Sequence, residues 1–391
     1  VNSLSTRVQR IKPSPTLAIS AKAKELQAAG QDIIDLGAGE PDFDTPQSIK
    51  DAAIQAINEG FTKYTAVDGI PSLKQAIVEK FSKENGFDFE PAQILVSCGG
   101  KQSFYNLCQA LLSEGDEVVI PAPYWVSYPD IALLADAKPV IINTTIEHGF
   151  KITPDQLQAA LTPKTRLMVL NSPSNPTGSV YSPEELKALA EVLLKYPHVV
   201  VATDDIYEHI RLSDCSFQNI LNVCPELKPQ TIVLNGVSKA YSMTGWRIGY
   251  AAGPKWLIAG MKNVQSQSTS NPTSISQVAA QAALSGDQSC IAPMVAAFRE
   301  RHEYIVNALN QLNGVRCIRS AGAFYSFADY TQAIANLGLK DDVELADVLM
   351  TKAAVALVPG SAFGNPGYAR ISFATSMENL QNAVKRMSKI L

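Results

Sequence analysis

A lysine, Lys239, stands in the run Gly236-Val237-Ser238-Lys239-Ala240-Tyr241-Ser242-Met243-Thr244-Gly245-Trp246-Arg247, downstream of Asn175-Pro176-Thr177-Gly178 and Asp204-Asp205-Ile206-Tyr207. A lysine amine can form a Schiff base with an aldehyde cofactor. The serine before it and the arginine eight residues after it can hold a phosphate, and the carboxylate and hydroxyl upstream can serve a pyridine ring. A lone Ser-Lys pair is a weak signal, but the ordered set describes a site for pyridoxal phosphate.

Asp204 follows the apolar run Val199-Val200-Val201-Ala202, which places it at the carboxyl end of a buried strand, where open α/β sheets hold ligands. A carboxylate there needs a cation. A protonated pyridine nitrogen supplies one and in exchange stays protonated, so the ring withdraws electrons from a carbanion at the substrate Cα. A helix N-cap is the alternative, and Asn175 and Lys239 in order outweigh it. Tyr207 and Asn175 can both bond the cofactor's phenolic oxygen and lower the basicity of the imine, although packing alone accounts for Tyr207 and a turn for Asn-Pro-Thr-Gly.

Gly99-Gly100-Lys101 ends one predicted strand and opens a helix, so its free amides suit a phosphate, with Ser238 and Arg247 completing the anchor. It is not G-x-G-x-x-G and carries no dinucleotide reading. Trp125, in Pro123-Tyr124-Trp125, can stack on a ring or fill a core. Arg370, flanked by Ala369 and Ile371-Ser372-Phe373, must find an anion. Its planar fork matches an α-carboxylate, though spacing alone favours an internal salt bridge.

These segments resemble the class I/II aminotransferases of the fold-type I pyridoxal phosphate enzymes, from about Arg7 to the C-terminus. Lys12-Pro13-Ser14-Pro15-Thr16, Ala38-Gly39-Glu40-Pro41-Asp42-Phe43-Asp44-Thr45-Pro46, Gly99-Gly100-Lys101-Gln102 and Pro123 to Pro129 make the likeness closest to the bacterial-type aspartate aminotransferases, some of which act on prephenate. The resemblance implies a large cofactor domain over residues 46–286, a small substrate-closing domain from 1–45 and 287–391, and a homodimer in which Tyr64 reaches the neighbouring phosphate. It implies that Asp204 rather than Asp205 meets the ring, that Arg370 and the Gly39 backbone take the α-carboxylate alongside Asn175 and Trp125, and that Lys101 takes a distal carboxylate. Thr16, with Lys12 as a second contact, stands where prephenate-using members carry a threonine. Gly236 departs from the pattern, since many relatives have a hydroxyl there for the phosphate.

The implied reaction is a ping-pong transfer of the amino group from L-aspartate to 2-oxoglutarate through Lys239, with Lys239, Asp204 and Tyr207 as the catalytic residues. Prephenate transamination, another pyridoxal phosphate reaction on the same fold, and a non-catalytic cofactor-binding regulator are the alternatives.

The elements around these residues follow from length and periodicity. A chain of 391 residues is too long for one ordinary core. With 46% hydrophobic and 18% charged residues it reads as a globular enzyme, and a net charge of -4 offers no basic field for nucleic acid or membrane. No run is long and apolar enough to span a bilayer and no leader is evident, so a cytoplasmic location is expected. The six cysteines show no C-x-x-C and read as reduced thiols. The four histidines, scattered and without H-E-x-x-H, read as surface or capping groups, and no metal is expected.

Seven strands are predicted at 94–97, 117–120, 139–142, 166–170, 199–203, 231–234 and 247–251, with amphipathic helices at 102–112 and 183–194, the second capped by Ser182. This is the pattern of a mostly parallel α/β sheet covered on both faces. After about residue 286 the pattern changes to a long helix through 301 and 309, strands at 315–318, 323–327, 356–358 and 370–373, and a closing helix from 378, a smaller α+β unit. A helix near 18–29 and a strand near 32–36 are predicted to join that unit.

Overall fold

The computed structural model describes residues 3–214 and 216–391. After a short strand β1 (Ile34–Asp35), seven strands form one sheet: β2 (Ile94–Ser97), β3 (Glu117–Ala122), β4 (Lys138–Asn143), β5 (Thr165–Asn171), β6 (Val200–Asp204), β7 (Thr231–Gly236) and β8 (Gly249–Ala252). Their order is β2-β8-β7-β6-β5-β3-β4, and only β8 runs antiparallel to its neighbours. The side-chain period of two buries both faces. Val119, Met168, Val201 and Val233 pack with the helices Gln47–Asn58, Pro71–Lys80 and Ser274–Ser285, while Val118, Leu167, Val200 and Ile232 pack with Gly100–Leu111 and Lys255–Ser266.

The chain runs outward from β3 to β4 and returns to place β5 on the other side of β3, so the winding reverses there and leaves a crevice at the carboxyl ends. Trp125 follows β3, Asn175 follows β5, Asp204 ends β6 and Lys239 follows β7.

A second core surrounds a three-stranded antiparallel sheet of β9 (Tyr325–Asp329), β11 (Val358–Pro359) and β12 (Tyr368–Ser372), covered by Ile291–Leu309, Asp342–Lys352 and Met377–Met387. The strand β10 (Val355–Ala356) pairs with β1. Several predicted boundaries move for identifiable reasons. Residues 315–318 form only a bridge between Arg316 and Asp329, because both backbone groups of Cys317 are taken by the Asn310 amide at 2.8 and 2.9 Å. The stretch 356–358 is split at Leu357, where the chain changes sheets. β8 starts at Gly249 because Arg247 is left-handed, at φ 57°, after a 3-10 turn. The predicted 323–327 strand slides to β9 because Ala323 also has positive φ.

The helix after Ser182 is Pro183–Leu193, with a reciprocal cap between Ser182 and Glu185. The helix near residue 18 already begins at Pro15 and runs to Ala28. Cys98, Cys108, Cys224, Cys290 and Cys317 are free thiols; Cys215 lies outside the described residues. His302 is buried rather than superficial. Its Nε2 accepts the Ser320 amide at 2.9 Å, and burial holds its pKa at about 4.

Candidate active site

A cavity of about 450 Å³ opens at the crevice. The large sheet and its loops contribute Gly100, Lys101, Trp125, Asn175, Asp204, Tyr207, Ser238, Lys239 and Arg247. Arg370 enters from β12, Thr16 from the helix Pro15–Ala28, and Gly39 from the loop after β1. Three predicted residues are not part of the lining: Gly99 lies behind Arg247, Lys12 contacts Asp130 through its backbone, and Tyr64 is 92% exposed.

Lys239 is half-buried at the cavity wall and donates to the Gly39 carbonyl. Burial, with the Arg370 guanidinium second, lowers its pKa to about 8, so the amine loses its proton far more readily than an ordinary lysine. Asp204 accepts the Tyr128 hydroxyl at 2.5 Å and the Ile206 amide at 3.4 Å. No cation bridges Asp204 among the described residues, and burial pushes its carboxyl up. A half-buried carboxylate in this state fits a ligand that brings a positive N–H. Asp205 faces away, bonded to Asn219 at 2.7 Å.

Arg370 is 2% exposed and donates to Asn175 Oδ1 at 2.9 Å and the Gly37 carbonyl at 2.7 Å. Its Nε has no partner, and no carboxylate of the described residues pairs with it. The predicted alternative of an internal salt bridge is thus not what the fold contains. A buried guanidinium with an idle N–H fits an incoming carboxylate. Lys101, also in the lining, lies 5.2 Å over the Trp125 ring, and burial together with Arg247 lowers its pKa.

The turn from β2 into Gly100–Leu111 fits a phosphate. Among the described residues the Gly100 and Lys101 amides donate to nothing, and Arg247 lies against the turn with Nη2 3.3 Å from the Cys98 carbonyl. Gly99 sits at φ 89°, and a β-carbon there would come within 2.3 Å of Arg247 Nη2. Gly99→Ala is therefore expected to push Arg247 aside and weaken cofactor binding about tenfold or more, read by equilibrium dialysis of the apoprotein. Gly236 pairs with Gly249, and a β-carbon on it would meet Gly249 Cα and the Ile248 carbonyl at 3.0 Å. A side chain at this position, hydroxyl-bearing or not, would have to open that close backbone packing.

Three residues escaped the sequence reading. Tyr128 meets Asp204, and Tyr325 meets Tyr207 hydroxyl to hydroxyl at 2.9 Å. Asn171 donates to the Asp204 carbonyl at 2.9 Å while accepting the Asn175 amide at 2.9 Å. Asn171 ends a buried strand, the same signal that singled out Asp204; the two tyrosines carry no comparable mark.

Residues 31–387 match the family model for aminotransferase class I and II. The chain belongs to that family. It is 64% identical to an aspartate/prephenate aminotransferase of Nitrosomonas europaea, over 99% of both chains, and 51% identical to an aspartate aminotransferase of Geobacillus stearothermophilus, over 99% and 98%. Its structure superposes on the aspartate aminotransferase of Rhizobium meliloti with TM-score 0.95 at 46% identity, covering 100% and 98% of the chains. The Thermus thermophilus enzyme with maleate gives 0.94 at 42%, covering all of both. This aminotransferase is an enzyme of the pyridoxal phosphate-dependent type, and Lys239, Asp204 and the Gly100 turn suit that cofactor. No helix among the described residues is long and apolar enough to cross a membrane.

Proposed function

We propose that this aminotransferase takes its amino group from L-aspartate and passes it to 2-oxoglutarate, forming oxaloacetate and L-glutamate. The observation that carries the reading is a pair of cations lining one cavity with Lys239: Arg370 and Lys101, neither of which has a carboxylate partner among the described residues. Two such groups suit a dicarboxylic amino acid, and the names of the relatives and the maleate held by the Thermus thermophilus enzyme agree with that.

Bound pyridoxal phosphate supplies a ring that delocalises negative charge from the substrate Cα. Asp204 would keep the ring nitrogen protonated, and Trp125 would cover the ring face. Asn175 and Tyr207 bond the phenolic oxygen. The Gly100 and Lys101 amides, Ser238 and Arg247 would hold the phosphate, with Gly99 shaping the turn behind Arg247 and Tyr64 of the partner subunit joining them. Arg370 fixes the α-carboxylate beside Gly39, Asn175 and Trp125, and Lys101 takes the distal one. With its pKa lowered to about 8, Lys239 would act as the base that takes the Cα proton and as the acid that gives it back. These assignments accompany a homodimer, a cytoplasmic location, and a division into domains over 46–286 and over 1–45 with 287–391.

Prephenate is the second reading for the acceptor. Thr16 lines the cavity, and the Nitrosomonas europaea relative is named for that substrate as well. One experiment addresses both: the visible spectrum of the holoenzyme with L-aspartate, L-alanine or L-phenylalanine alone, followed by 2-oxoglutarate or prephenate. Aspartate should bleach the band and the acceptor restore it. A response to alanine or phenylalanine but not aspartate removes Lys101 from specificity, and silence towards all three points to another reaction.

A further inference from the structure

Arg370 and Tyr325 lie on one face of the small sheet. Arg370 pairs with Phe327 on β9, and Tyr325, two residues earlier, is its diagonal neighbour, with the guanidinium carbon 4.4 Å from the Tyr325 ring centroid. The Tyr325 hydroxyl is 2.9 Å from that of Tyr207, which follows β6 of the large sheet. Both side chains are buried, and the charged groups facing the pair are Arg370, Lys239, Asp204 and Glu40.

We propose that Tyr325 is a positioning residue that fixes which way the Tyr207 proton points and transmits the occupancy of Arg370 to it. Each hydroxyl has one proton to give. The cation over the Tyr325 ring makes that phenol the better donor of the two, so Tyr325 donates to the Tyr207 oxygen and leaves the Tyr207 proton aimed into the cavity. A carboxylate arriving on Arg370 neutralises the cation, weakens the donation and with it the hydrogen bond Tyr207 gives. The inference rests on the reading that Tyr207 bonds the cofactor's phenolic oxygen.

The test is a pH titration of the visible band of holoenzymes carrying Tyr207→Phe, Tyr325→Phe, or both, with cofactor content and circular dichroism matched to the parent. Loss of the bond to the phenolic oxygen should raise the titration midpoint of the Lys239 nitrogen by about one pH unit in Tyr207→Phe. Tyr325→Phe should move it the same way by about half as much, and the double variant should match Tyr207→Phe. Saturating succinate should raise the midpoint in the parent, and the rise should shrink in Tyr325→Phe. A Tyr325→Phe midpoint equal to the parent's, with Tyr207→Phe shifted, overturns the relay and leaves the role of Tyr207 standing. An unmoved midpoint in Tyr207→Phe removes that role and the relay together.

Discussion

Lys239→Ala is expected to retain the fold and lose transamination by about 10⁴-fold or more, measured as multiple-turnover formation of oxaloacetate. The size follows from the two roles proposed for this one amine, attachment point of the cofactor and carrier of the Cα proton; among the described residues the other lysines lining the cavity are Lys24 and Lys101. Substantial turnover by the variant would remove Lys239 from the mechanism.

The same substitution has a signature in the apoprotein that does not depend on catalysis. An unperturbed lysine titrates near 10.5, and burial, followed by Arg370, brings Lys239 to about 8 in the folded chain. The folded state therefore binds fewer protons than the unfolded state between those values. The contribution of this group to stability rises with pH from about 8 to 10.5, and its full penalty is felt below about 8. The span corresponds to roughly 3 kcal/mol. Apo Lys239→Ala should lose that slope, so the difference in unfolding free energy between variant and parent should shrink as pH rises through the window. A constant difference would mean that the amine is as well solvated in the fold as out of it.

The sequence made the large sheet readable because its strands are continuous apolar runs between turn signals, and Asp204, Asn175 and Lys239 are each placed by one of those runs. The small sheet was harder to read. Its strands are short, one is split by a change of partner at Leu357, and the 315–318 run loses its strand character to the Asn310 side chain, a competition invisible in a hydropathy pattern. Arg370 shows the same limit at the level of one residue. From spacing alone an internal ion pair was the better choice, and only the three-dimensional arrangement reveals that no carboxylate of the described chain reaches it. Tyr128 and Tyr325 were unreadable because aromatic residues in apolar surroundings look alike until their hydroxyls are placed.

Arg370→Leu should lower kcat/KM for L-aspartate by about 10³-fold, chiefly through KM, while cofactor content stays near that of the parent. The guanidinium makes two hydrogen bonds, to Asn175 and Gly37, and keeps one buried N–H idle. Its removal strands two acceptors but also relieves the desolvation that already lowers its pKa, so the two changes oppose each other. Apoprotein stability should accordingly change by no more than about 2 kcal/mol. An amine without an α-carboxylate provides the control. It gains nothing from the guanidinium, so parent and variant should process it at similar, low rates. If aspartate and that amine lose activity in equal proportion, Arg370 supports the architecture of the cavity instead of gripping the substrate, and the pair of cations lining it no longer explains a preference for dicarboxylic amino acids.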